Sequence, residues 1–210
     1  MASARVVKLI PGRTAFSSAM CRPNFVVRPA IYGFDALVDT GNKLLKAAKV
    51  QSFSCLGKTD DRFDLASLGP LHLGTFEKTL FSMATPEVLS LIEKHNLKSL
   101  VLLGIESHVC VLQSTLDLLE RGYDVHILAD GVSSCNKEEV PWALERMRQA
   151  GAQISTSEST LFQLQVESSS PKFKEFAKVI KEEKDATTRT LETLLPIRNL
   201  AKCKKCKRWT

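Results

Sequence analysis

A chain of 210 residues that is 44% apolar is long enough to bury a core of its own, and it holds no apolar run of the about 18 residues that a membrane helix needs. The formal charge of +6 points toward nucleic acid until it is located: residues 1–34 carry five basic side chains and residues 198–210 carry six, with no acid in either. Between them 18 basic residues face 23 acidic ones, so the body of the chain is mildly acidic, and a nucleic-acid contact is expected only of the ends, if at all.

The six cysteines, Cys21, Cys55, Cys110, Cys135, Cys203 and Cys206, do not have the spacing of a small disulfide scaffold. They read as thiols of a reducing compartment, and the expected location is cytoplasmic. The alternative is mitochondrial, because the acid-free, Arg- and Ser-containing start resembles a transit peptide.

In chain order, "RTAF" opens like a buried strand, but "SSAMCRPNFVV" (17–27) reads as neither strand nor helix. Residues 1–27 are therefore taken as an atypical N-terminal segment. In 30–50, Ile31, Phe34, Leu37, Val38, Leu44, Leu45 and Ala48 recur at helical spacing. "ALVDTGN" alone would pass for a strand, but the helical face continues on both sides of it. Residues 50–74 are irregular. "TPEVLSLIEKHNL" predicts a helix with Thr85 as N-cap and Pro86 at the first helical position.

"KSLVLLGI" (98–105) is a short continuous apolar run, as a parallel strand buried on both faces would be. A helix follows over 107–121, with Val109, Leu112, Leu116 and Leu119 on one face and Gly122 as its stop. Val125, Ile127 and Leu128 mark the next strand. The pattern repeats in 137–159, with Pro141 near the helix start, Gly151 as the stop and Ile154 in a strand. "PKFKEFAKVIKEE" (171–183) is a last amphipathic helix. From 185 to 210 the chain reads as a basic, disordered tail. The alternation of strand and helix argues an α/β domain over 28–184, a parallel sheet with helices on both faces.

Cys110 falls in the first turn of a helix that follows a buried strand. The helix N-terminus offers unpaired N–H groups and partial positive charge, which favour a thiolate and can hold an oxyanion. The position lies beyond the carboxyl end of a parallel strand, where open α/β sheets bind ligands. A small buried hydrophobe is the other reading of such a cysteine. No metal is expected, since His108 and Cys110 lack a supporting ligand ladder, and Cys203 with Cys206 has no second pair.

The strings "FEKTLFSM" (76–83), "GIESHVCVLQSTLDLLERGYDVHILADGVSS" (104–134) and "ALERMRQAGAQISTSES" (143–159) resemble the isochorismatase-like cysteine hydrolases, among them the eukaryotic isochorismatase domain-containing proteins. The resemblance runs from Arg28 to Lys184. It implies a three-layer α/β/α sandwich with a parallel sheet of about six strands. It implies an Asp–Lys–Cys triad working without cofactor on a small amide- or ester-like substrate, and assembly into a homo-oligomer. By motif, Lys78 is the lysine and Cys110 the nucleophile. Without the motif Lys78 reads as a solvated loop lysine. The resemblance also implies a non-proline cis peptide at Ile105–Glu106, turning backbone N–H groups toward an oxyanion. Glu106 and His108 flank the site, and orienting or packing roles suit them better than catalysis.

Two pieces of the family pattern are missing. The family's first strand ends in an aspartate whose place here falls on or near Arg22, yet residues 1–34 contain no carboxylate, and Asp35 and Asp39 lie on the expected helix. The first strand is therefore expected to be degraded, with Ser17 and Ser18 bringing hydroxyls into a buried layer and Pro23 removing a ladder donor. After Val50, a pocket-lining strand and loop are also shortened. Ser17–Val26 can be encoded so that a frame shifted by one base spells Phe-Leu-Cys-Asp-Val-Gln-Ala-Lys-Phe-Arg, the family's strand with its aspartate. The chain as written is thus expected to hydrolyse weakly or not at all. The alternative to an impaired enzyme is a binding protein that keeps the fold without turnover.

Overall fold

The computed structural model describes residues 9, 13–19, 31–51, 54–56, 65–76 and 78–195. Among these residues six strands form one sheet: β1 (Thr14–Ala19), β2 (Ser54–Leu56), β3 (His72–Gly74), β4 (Ser99–Gly104), β5 (Asp124–Val132) and β6 (Gln153–Ser155). Their order across the sheet is β3-β2-β1-β4-β5-β6, and every neighbouring pair is parallel. The direction of strand order reverses at β1 and β4, whose carboxyl ends are where a doubly wound sheet of this order opens a crevice.

Among the described residues seven α-helices cover the sheet: α1 (Phe34–Gln51), α2 (Pro86–Lys94), α3 (Leu112–Glu120), α4 (Glu139–Gln149), α5 (Ser157–Gln165), α6 (Phe173–Glu182) and α7 (Lys184–Leu194). The side-chain alternation of β4 explains the layering. Leu100 and Leu102 pack with Val88 and Ile92 of α2, Leu118 of α3 and Met147 of α4. Val101 and Leu103 face the opposite way, toward Leu44 of α1, Leu161 of α5 and Phe176 of α6. All six residues of β4 are buried, as a strand sandwiched between two helical layers requires. The result is the expected three-layer α/β/α sandwich.

Two expectations are corrected. The first strand is not degraded. β1 runs in register with β4 from Thr14 opposite Ser99 to Ala19 opposite Gly104, and it pairs with β2 on its other side. A parallel ladder is carried by backbone groups, so a serine costs it little once the hydroxyl is satisfied. Ser17, buried, donates its hydroxyl to the Met83 sulfur at 3.7 Å. Arg22, Pro23 and the rest of 20–30 lie outside the described residues, as does much of the shortened region after Val50.

Nor is the chain a loose tail from 185. Residues 184–194 form α7, docked along α1. Its inward face is two threonines and only one buried leucine, Leu194, which hides it from a search for apolar spacing. Buried Thr187 accepts from the buried Lys43 ammonium at 2.9 Å, and buried Thr190 donates to the Ala36 carbonyl at 3.3 Å. The Tyr32 hydroxyl donates to the Thr193 carbonyl at 2.5 Å. The basic residues 198–210 lie outside the described residues. The reading of the sequence also passed over α5, capped by Thr156, whose hydroxyl accepts from the Ser159 amide.

Candidate active site

The central strand β4 ends at Gly104, whose φ of +121° suits glycine and little else. The next peptide, Ile105–Glu106, is cis, as the resemblance implies. Ser107–Val111 then wind as one π-helical turn into α3, a form that recurs at functional sites. Cys110 sits in this turn and is 7% exposed, so its thiol faces a nearly dry environment. Neither Cys110 nor Cys135 is in a disulfide.

The structure brings Lys78 to Cys110. The ammonium lies 3.6 Å from Cys110 Sγ and donates to the carbonyls of Leu80 at 2.8 Å and Phe81 at 2.7 Å. Lys78 is partly buried. The two backbone bonds fold the 78–84 loop around its own lysine, so the cation is positioned rather than solvated at large. This separation is within the range at which an opposite charge favours the ionised form of an acid.

Glu106 and His108 are drawn to the loop after β5. One Glu106 carboxylate oxygen accepts from the Cys135 amide at 2.9 Å. His108 Nδ1 is 3.0 Å from Ser134 Oγ and 3.8 Å from the Glu106 carboxylate. Ser134 Oγ also lies 2.5 Å from Ser107 Oγ and accepts from the Ser107 amide at 3.1 Å. These contacts tie the Cys110 turn to 133–135. Ile105 packs into an apolar cluster with Leu37 and Leu194. The serines of 133–134 were not singled out in the sequence. Their signal is position, just beyond the carboxyl end of β5, where ligand-side residues of such sheets collect.

β1 leads toward the stretch in which the resemblance expects an aspartate. The strand's last residue is Ala19, opposite Gly104. The position directly after it is 20, occupied by methionine, and position 20 is also where the shifted reading of Ser17–Val26 puts its aspartate. Position 20 and Arg22 both lie outside the described residues.

A second polar cluster lies on the α1 side of the sheet. Asp130, fully buried on β5, accepts from the Ser157 amide at 2.7 Å and from the Ser157 hydroxyl. Burial pushes the Lys43 ammonium below its ordinary range, and Asp130, Glu158 and Glu183 pull it back up. This cluster fastens α1, α5 and α7 to the sheet.

The model of the isochorismatase domain matches residues 67–159. The secreted isochorismatase effector Isc1 of Phytophthora sojae is 37% identical over 86% of this chain and 90% of its own. The chain belongs to the isochorismatase family. The structure of the MAR1 ribonuclease from Caenorhabditis elegans is similar at a TM-score of 0.71 and 34% identity, covering 83% of this chain and 93% of that one. The isochorismatase family protein 1B of Dictyostelium discoideum is 54% identical over 112 residues, and there the chain spans only about half, 54%, of the relative's length. Among the described residues no helix is long and apolar enough to cross a membrane.

Proposed function

We propose that this isochorismatase-family chain carries a cysteine hydrolase site that is impaired by the loss of its carboxylate. Cys110 is the nucleophile and Lys78 the cation that favours its thiolate. The substrate is a small molecule with an amide- or ester-like carbonyl, and no cofactor takes part. The thiolate sulfur adds to the carbonyl carbon, the carbon–heteroatom bond breaks, and the leaving group departs with a proton. Water then hydrolyses the thioester and returns the thiol. Backbone N–H groups around Ile105–Glu106 hold the carbonyl oxygen while it is negative. Self-assembly and a cytoplasmic location belong to the same reading.

The observation that carries this reading is the 3.6 Å contact between Lys78 Nζ and Cys110 Sγ beside the carboxyl ends of β1 and β4. What limits it is the absence of any carboxylate in residues 1–34. No group there takes the thiol proton or hands it to the leaving atom, and such help is typically worth about 10²–10⁴-fold in rate. That same absence favours a second reading, a protein that binds a carbonyl ligand in the crevice without turning it over.

Hydrolysis of a panel of p-nitrophenyl esters and small amides separates the two. Under the first reading, turnover is slow, vanishes in Cys110→Ala, and rises by about 10²–10⁴-fold in Met20→Asp. Turnover indifferent to Cys110→Ala refutes it. No gain in Met20→Asp, with ligand still protecting Cys110 from alkylation, selects the binder.

A further inference from the structure

We infer that Ser114 is a positioning residue of the site, a pin that joins the lysine-bearing loop to the cysteine-bearing turn and so sets the separation between Lys78 and Cys110. The inference rests on the assignment of those two residues under Proposed function. Ser114 is on α3, one turn beyond Cys110, and is fully buried. Its Oγ lies 2.6 Å from the Cys110 carbonyl oxygen and 2.7 Å from the Met83 backbone nitrogen.

The chemistry of the partners fixes the direction of both bonds. A carbonyl only accepts and an amide only donates, so the hydroxyl gives its one proton to Cys110 and takes the amide of Met83. A hydroxyl that bonds only the carbonyl four residues back is a common local feature of helices. Here the second bond reaches 31 positions away in sequence, to the segment that carries Lys78.

That segment has little freedom of its own. Lys78 is bonded to the carbonyls of Leu80 and Phe81, so where the 80–83 backbone goes, the ammonium goes. Met83 is buried, its amide held by Ser114 and its sulfur accepting from Ser17 on β1. The 3.6 Å contact thus depends on a loop that closes on its own lysine and is anchored at Met83 by Ser114 and Ser17. Without the Ser114 hydroxyl the buried Met83 amide must seek another acceptor, and the loop moves to find it. Charge–charge attraction falls inversely with distance, so a retreat of the ammonium by a few ångström weakens its support of the thiolate by a third or more.

The test is site-resolved alkylation of Cys110 by iodoacetamide, read by mass spectrometry as rate against pH, since the thiolate is the reacting species. It is run on the full chain, on Ser114→Ala, Ser114→Thr and Lys78→Ala, and on the Lys78→Ala/Ser114→Ala double variant. Circular dichroism verifies folding. Ser114→Ala is expected to raise the midpoint by about one pH unit, making alkylation near neutral pH about tenfold slower. Ser114→Thr, which keeps the hydroxyl, restores the native midpoint. In the Lys78→Ala background Ser114→Ala adds nothing, because both act through the same cation.

A native midpoint in Ser114→Ala overturns the inference, and so does an equal shift with and without Lys78. A native midpoint in Lys78→Ala overturns the Lys78–Cys110 assignment itself, and the inference with it. Should Ser114→Ala not fold, Ser114→Thr and Ser114→Val, equal in shape and differing in the hydroxyl, are compared in the same way.

Discussion

Replacing Gly33 by alanine tests the docking of α7. Gly33 has a φ of +63°, in the left-handed region. A Cβ built there would stand 2.5 Å from Leu194 Cδ2 and 3.1 Å from Thr193 Cγ2. Holding alanine in that conformation costs about 1–2 kcal/mol. Leu194 is buried, so clearing the methyl forces it off its rotamer for about 0.5–1.5 kcal/mol more. The narrower unfolded ensemble of alanine offsets about 0.4–1 kcal/mol. The net expectation is a destabilisation of about 1–3 kcal/mol, or a fall in Tm of about 3–10 °C for a chain of this size. Urea unfolding of Gly33→Ala measures it. In a Leu194→Ala background the steric part disappears and only the conformational cost remains. A loss below about 0.5 kcal/mol would refute the argument as a whole. A full loss that Leu194→Ala leaves unchanged would refute the contact with α7.

Two further outcomes follow from the buried polar groups. Asp130→Ala leaves the buried Ser157 amide without its acceptor and Lys43 without the strongest of its named counter-charges, so a loss of about 3–5 kcal/mol is expected in urea unfolding. A loss below about 1 kcal/mol would show that the cluster relaxes around the gap. His126 is buried on β5 with Nε2 unpartnered among the described residues, and burial lowers its pKa against a smaller upward pull from Asp124. The unfolded chain then binds the proton first, and the contribution of neutral His126 is present above about pH 6.5 and lost as pH falls below it. The native chain should therefore lose stability relative to His126→Leu between about pH 7 and pH 5. A difference that stays flat over that range contradicts it.

The central architecture was legible because β4 and its neighbours carry strong local signals. Leu100–Leu103 form a run apolar on both faces, and Thr85-Pro86 caps α2 by its chemistry alone. Cys110 was legible from its place at a strand-to-helix junction, but Lys78 only from motif. Its approach to Cys110 depends on a loop folding back across 32 positions, which no local period encodes. α7 was missed because its docking face is threonine, satisfied by hydrogen bonds that exist only after folding. Ser114 looked like an ordinary polar residue of α3. Its spacing of four from Cys110 was the one available hint. β1 was misjudged because its serines were weighed as side chains, when the ladder depends on the backbone.

That last point bears on how such a site can be lost. β1 lies at the middle of the sheet, with a parallel ladder to β2 on one side and to β4 on the other. Architecture and chemistry are thus written in adjacent stretches of text under different constraints. The ladder asks for backbone groups and short side chains, and Ser17 meets that demand with its hydroxyl bonded to Met83. Under the proposed function, a change that rewrites the strand together with the residue after it leaves the scaffold standing and removes the carboxylate. A central strand held by its backbone on both sides therefore makes the fold a poor witness to whether the chemistry beside it survives.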